Sequence, residues 1–463
     1  MMKPSLISIT SFLIIALSCP LTTWGQESAT ATRYNLLSKQ YDEVSGFEWS
    51  LDPNVVVEKN GKKGVVNVAN KLIIPLIYDE IECLGDLFIV CQNGLMGVVD
   101  ENNKQVIPVE YSEIRPCPDK NGLHFMVAKF PSGSSTEAST ALFGLMDDCG
   151  NVKIPLAHVN MEMVPIIEST TDVDGRIITA GFDDFKHGLL DFDGRVILPQ
   201  EYDVIVNIAT DWRLLVTKDG RYGIVDWQGN TIMPLDYNDM VFDNYYSSGF
   251  AARREQGGKK SKYAFWNFDG KQQSDEIFDN VTGYSFDMFD ATIGKRHIIT
   301  TGFYEGKAAF AEMGDEGDDN NLIWGYMDAH GKVIVKPQFP SAYRFSEGLA
   351  AVALTQNESE LLYGYIDANG KTIIPPAYTF AGSFMGGMAV VNTLESGQCV
   401  INKQSQIVKV FSEDSNECSL MRDDMGQVLI KEVSSDGATR FYNAQGKLVK
   451  TVIDDATLTA DPK

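Results

Sequence analysis

Apolar residues along this chain come in short runs separated by polar punctuation, and the punctuation repeats. WGYMDAHGKVIVKPQFPSAYRFSEGLAAV, from Trp324 to Val352, returns 39 residues later as YGYIDANGKTIIPPAYTFAGSFMGGMAVV, from Tyr363 to Val391. In the second copy the runs Tyr365 to Ile366 and Thr372 to Ile374 are too short for helices and rich in β-branched types, which predicts two strands. Between them lies DANG, where Asp367 can hold its own backbone in a turn and Gly370 can take the positive φ of a hairpin with a one-residue bulge. Asp328 with Gly331, Asp226 with Gly229 and Asp191 with Gly194 stand at the same offset. A proline follows at Pro75, Pro108, Pro155, Pro199, Pro234, Pro337 and Pro376, and is expected to end the second strand because it cannot donate to a ladder. The aromatic just beyond it (Tyr78, Tyr111, Tyr202, Tyr237, Phe339, Tyr378) is expected to close each unit onto its neighbour. A third strand is expected after a loop, as in LFIVCQN from Leu87, RLLVTKDG from Arg213 and GLAAVAL from Gly348.

The same grammar starts at Lys63, Met96, His187 and Tyr222, and more loosely at Phe143, Tyr263, Cys399 and Thr439, giving about ten units. Their anchors are Gly64, Gly97, Gly144, Gly188, Gly223, Gly325 and Gly364, where a Cβ is expected to collide with a ring or a backbone. The aromatics before four of them, Phe143, Tyr222, Trp324 and Tyr363, are candidate ligand contacts, since a row of rings can stack sugars. A stacked core would produce the same row. The fold class is therefore all-β: tandem hairpin-based repeats stacked as a curved or superhelical, solenoid-like array. The alternative is a β-propeller, whose usual blade count ten units would exceed.

Aromatic-Gly-Tyr-Ile-Asp, a Gly-Lys turn, Ile-Pro-Pro-x-Tyr and then Phe-x-x-Gly-Leu-Ala-x-Val resembles the WG-repeat proteins, a bacterial family of secreted or cytoplasmic repeat chains. The resemblance is close over residues 324–391, good over 63–115 and 187–241, looser elsewhere, and spans roughly 34–450. Met96 and His187 replace the aromatic and Ala264 the glycine, so those units are expected to be distorted. The resemblance implies a β-repeat fold and surface interaction more than any activity.

Composition narrows the partners. At 44% apolar and 22% charged residues the chain can bury a core, so wholesale disorder is excluded. A net charge of -24, with GGKKSK from Gly257 as the one short basic run, argues against nucleic acid. Lys3 ahead of the apolar run Leu6 to Leu17 reads as an export signal too short for a membrane span, cleaved after Gly25 and leaving no further membrane segment. A rival reading makes Cys19 a lipidated cysteine, to which Ala16 and Pro20 fit poorly. The expected organisation is a signal at 1–25, a repeat array at 26–310, an acidic insert at 311–322, further repeats at 323–455 and a flexible tail at 456–463.

Reactive chemistry is sparse. The six cysteines after the signal include no CxxC pair, which speaks against thiol exchange and a cysteine zinc site. His124, His158, His187, His297 and His330 show no metal-ligand spacing, and SGSS from Ser132 lacks the context of a hydrolase serine. Asp147 with Asp148, or Asp183 with Asp184, supply carboxylate pairs of the kind glycosidases use, among 63 acids that make such pairs commonplace. The acidic stretch Glu312 to Leu322 offers carboxylates to Ca²⁺ without the spacing of a twelve-residue calcium loop, so no cofactor is expected. The leading function is an exported module (periplasmic, outer-membrane-associated or secreted) that binds or scaffolds a protein or glycan of the bacterial envelope. A carbohydrate-active hydrolase and a non-binding spacer are the alternatives.

Overall fold

The computed structural model describes residues 33–45, 54–120, 122–130, 141–164, 175–180, 186–209, 212–243, 249–256, 258–285, 288–313, 322–357, 360–395, 397–412, 414–423, 426–435 and 437–453. The signal at 1–25, the tail at 456–463, Ser132 to Ser135, Asp183 with Asp184 and most of the acidic insert lie outside them. Two compact units divide the chain. The first comprises the described residues of Met1–Pro116, Phe125–Leu142 and Met146–Val152, the second those of Cys117–His124, Phe143–Leu145 and Lys153–Lys463.

Within each unit the chain runs as successive antiparallel meanders, and the one helix among the described residues is the short turn at 33–37. In the first unit, Glu80–Leu84, Leu87–Gln92, Leu95–Asp100 and Gln105–Tyr111 form a four-stranded sheet. Its first two strands come from the sequence repeat at Lys63 and its last two from the repeat at Met96. In the second unit Val204–Ala209, Arg213–Lys218, Arg221–Asp226 and Thr231–Tyr237 repeat this arrangement, and the last sheet is Ser415–Arg422, Val428–Ser434, Ala438–Tyr442 and Leu448–Ile453. These four-stranded sheets are thus staggered half a period against the sequence, each built from two consecutive repeats, while the sheet from Ser341 to Val410 runs to seven strands and draws on three.

The hairpin turns follow the expected chemistry. The Asp367 carboxylate accepts from the amides of Asn369 and Lys371 at 2.9 and 3.0 Å, and the Gly370 amide donates to the Asp367 carbonyl at 2.9 Å. Asp100, Asp226 and Asp328 make the same bonds, and Asn67, Asn402 and Asn443 replace the aspartate with an equivalent amide oxygen.

The proline does not end the second strand; the strand runs through it. Pro75 sits inside Leu72–Tyr78, Pro108 inside Gln105–Tyr111 and Pro234 inside Thr231–Tyr237. The register shows why this is tolerated. Tyr363 pairs with Tyr378 and Tyr365 with Ile374, so three residues of one strand stand opposite Gly364 alone. The same bulge recurs opposite Gly64, Gly97, Gly188, Gly223 and Gly325. The missing proline N–H therefore falls where the ladder is already interrupted. Register also moves two assignments by one residue: Pro375 and Lys336, rather than Pro376 and Pro337, hold the place of Pro234. Met96 and His187 keep the shared register, so those hairpins are not distorted as expected. At Ala264 the sheet is reduced to three strands, with isolated bridges such as Trp266 to Gln272 in place of a fourth.

Buried rows from neighbouring sheets fill the spaces between them, as in the cluster of Phe265, Phe278, Phe289, Phe303 and Phe310. Turns complete the stacking. A Cβ on Gly194 would lie 2.6 Å from the Lys153 carbonyl oxygen, and one on Gly446 2.4 Å from that of Val408, so each turn rests on the second strand of the preceding repeat. Where another residue takes the turn glycine's place, the closing tyrosine reaches it: Tyr78 donates to Asn103 at 2.8 Å and Tyr378 meets Ser405 at 2.6 Å.

Candidate functional site

The four candidate ligand aromatics serve the hairpins. Trp324 pairs across its hairpin with Phe339, Tyr222 with Tyr237 and Tyr363 with Tyr378. Trp324 is only 8% exposed inside a core cluster, which leaves its ring no open face. Tyr222, Tyr363 and Phe143 are half-buried, with Tyr363 tilted against Tyr343 at 5.8 Å between centroids.

Polar chemistry gathers instead where the last repeat breaks the pattern. On the neighbouring strand, the anchor glycines pair with core residues: Gly97 with Val90, Gly223 with Val216, Gly325 with Phe310 and Gly364 with Val352. In the last sheet the corresponding cross-strand pair is Arg440 with Glu432. Arg440 carries a Cβ, and its other neighbour pairs regularly, Arg440 opposite Thr451, without the three-residue bulge. Cys399, in the glycine's place one repeat earlier, likewise pairs regularly with Val410. The two repeats that carry Cys399 and Arg440 lack the bulge, whereas Ala264 keeps its offsets, Tyr263 meeting Phe278 and Trp266 meeting Gln272, but only through isolated bridges.

Glu432 is 3% exposed, so its charge must be satisfied locally. Ser415 donates to one carboxylate oxygen at 2.5 Å and Tyr442 to the other at 2.6 Å, while the Lys409 ammonium stands 3.8 Å away. Burial pushes the Glu432 carboxyl upward, but the two hydroxyls, the Lys409 charge and the Ser412 amide outweigh it and hold the group below the ordinary glutamate range. Burial and the same carboxylate push Tyr442 up to about 12. Arg440 donates to the Ser434 hydroxyl at 2.6 Å, and Lys409 lies 4.6 Å from the centre of the Tyr442 ring. All of these groups but Ser415, together with Asp414 and Ser435, line a cleft of about 330 Å³.

The acid limb of stability follows from this arrangement. The ionised Glu432 stabilises the fold above its unfolded value, 4.5, and that contribution is lost as the pH falls through the lower folded value. Glu432→Gln should therefore unfold at lower urea near neutral pH and show a shallower loss between about pH 5 and about pH 3 than the parent chain. Urea midpoints across that range check it; parallel pH profiles would be inconsistent with an ionised Glu432.

The other predicted residues do not assemble comparable chemistry. His124 is buried with Nδ1 3.8 Å from Asp119, while His297 meets Asp290 and His330 meets Asp275, each at 2.6 Å. Asp147, Asp148 and Cys149 have ligand atoms within 4.8 Å of one another, but Asp147 already accepts from the turn amides of Cys149 and Asn151. Glu432 and Arg440 escaped sequence reading because neither belongs to a motif; the available signal was an arginine in a glycine position.

The WG containing repeat family matches residues 64–95, 96–123, 324–354 and 363–393, so the chain carries WG repeats at four places. No curated protein matches it in sequence. Two solved structures are similar in part. A crystal structure of the eukaryotic initiation factor is 9% identical over 87% of this chain and 96% of its own, with a TM-score of 0.25. BamB from Moraxella catarrhalis is 8% identical over 64% of this chain and 88% of its own, with a TM-score of 0.23. Among the described residues no helix is long and apolar enough to cross a membrane.

Proposed function

We infer that this chain of WG repeats is an exported, non-catalytic binding module of the bacterial envelope, and that it holds its ligand in the cleft of the last sheet. The observation that carries the reading is the exchange of a glycine and an apolar neighbour, as in Gly223 with Val216, for the charged pair Arg440 and Glu432. A buried carboxylate such as Glu432, held by Ser415, Tyr442 and Lys409 beside a half-buried arginine, is a weak source of stability compared with an apolar residue of similar volume. Its presence in one repeat, beside a cleft, is better explained by recognition than by folding. Export rests on the apolar run behind Lys3.

A hydrolytic role for Glu432 is disfavoured by the same geometry. A general acid needs a carboxyl raised toward neutrality, whereas Glu432 is lowered and both its oxygens are engaged by hydroxyls.

The double substitution Glu432→Val with Arg440→Gly removes both charges, puts in the residue types of the pair Gly223 and Val216, and tests the reading. The expected result is a chain with a urea midpoint close to the parent that no longer retains the component captured from native envelope extract by the unaltered protein. Equal retention by both chains would place recognition elsewhere and defeat the proposal.

A further inference from the structure

We propose that the ligand of this cleft is a neutral, polyhydroxylated sugar segment; this rests on the binding-module reading and specifies its chemistry. Four observations lead there. The lining balances Lys409 and Arg440 against Asp414 and Glu432, so the cleft attracts neither a phosphate nor a divalent cation by net charge. The chain as a whole, at -24, repels anions further.

The remaining wall is hydroxyl-bearing. Ser434 and Ser435 stand beside Arg440 and Asp414, which places donors and acceptors side by side. Each sugar hydroxyl is itself both donor and acceptor, so neighbouring hydroxyls on a ring can bridge a carboxylate and a guanidinium. A phosphate offers acceptors alone and an ammonium donors alone.

Glu432 is not the group that meets the ligand. Its oxygens are taken by Ser415 and Tyr442, and it fixes the floor of the cleft before any ligand arrives. Asp414 and Arg440 are the contact groups. The volume, about 330 Å³, is at the lower end of small-molecule sites and suits a short stretch of a glycan rather than a folded protein surface.

Calorimetric titration of the full chain with neutral disaccharides, an acidic disaccharide, a dipeptide and inorganic phosphate tests the assignment. At least one neutral disaccharide should bind at least tenfold more tightly than phosphate, the acidic sugar or the dipeptide. Arg440→Lys, which keeps the charge but loses the planar fork, should weaken that binding about tenfold with the urea midpoint held. Tighter binding of phosphate, acidic sugar or dipeptide, or no binding of any neutral sugar, would overturn the sugar assignment. Hydrogen exchange in the presence of envelope extract separates the two levels. Protection of the amides of residues 432–435 without sugar binding leaves the binding-site reading standing, whereas no protection there removes both.

Discussion

Phe265→Ala is expected to destabilise the protein by about 4 kcal/mol, the largest single effect anticipated from a core truncation here. Phe265 is 1% exposed and its ring lies 5.1, 4.9 and 5.4 Å from those of Phe278, Phe289 and Phe303. Two of these contacts are edge-on, the arrangement that adds to the value of burial. Removing the ring leaves a cavity bounded by three rigid aromatics on separate segments, which cannot all move in to fill it. Phe265→Leu, which retains most of the volume, should cost about 1.5 kcal/mol. Urea unfolding of the two variants beside the parent decides the matter, and equal midpoints for Ala and Leu would show that the cluster collapses freely.

Gly364→Ala is expected to cost about 3 kcal/mol, for a reason opposite to cavity formation. The added Cβ would stand 2.5 Å from the Ile374 carbonyl oxygen and 2.8 Å from the Pro376 nitrogen, both backbone atoms of the bulge opposite. Neither can rotate away as a side chain would, so the bulge must shift and the Tyr363 to Tyr378 pair must shift with it. Cys399 is the internal control. It occupies the same place in a hairpin without that bulge, and Cys399→Ala there should lose only the sulfur's packing, about 1 kcal/mol. A Gly364→Ala variant as stable as Cys399→Ala would show that the bulge is not what requires glycine.

Much of this was legible in the residues. The pair Asp367 and Gly370 announced a hairpin because both act on their own few residues of backbone, and such local chemistry is the same wherever the segment sits. Closing aromatics were legible for a related reason: Tyr78 and Tyr378 recur at one offset and do contact the next repeat's turn. The proline was misjudged because its meaning depends on the strand opposite. Alone it forbids a ladder bond, but opposite Gly64 it sits in a bulge with no such bond to lose.

Export, partner class and the ligand aromatics rested on residues whose consequences are not local. A row of rings fitted both a stacked core and a sugar-binding strip, and the packing of Phe339 and Val335 around Trp324 places that ring in the core. Glu432 and Arg440 looked like ordinary charges on a degenerate repeat. Alone, the sequence determined the β-hairpin unit and its repetition, because turn propensity and strand alternation are properties of neighbours along the chain. Tertiary structure decided where charge is buried, because a cross-strand pair such as Glu432 and Arg440 exists only once the register is set, and register is fixed by the sheet as a whole.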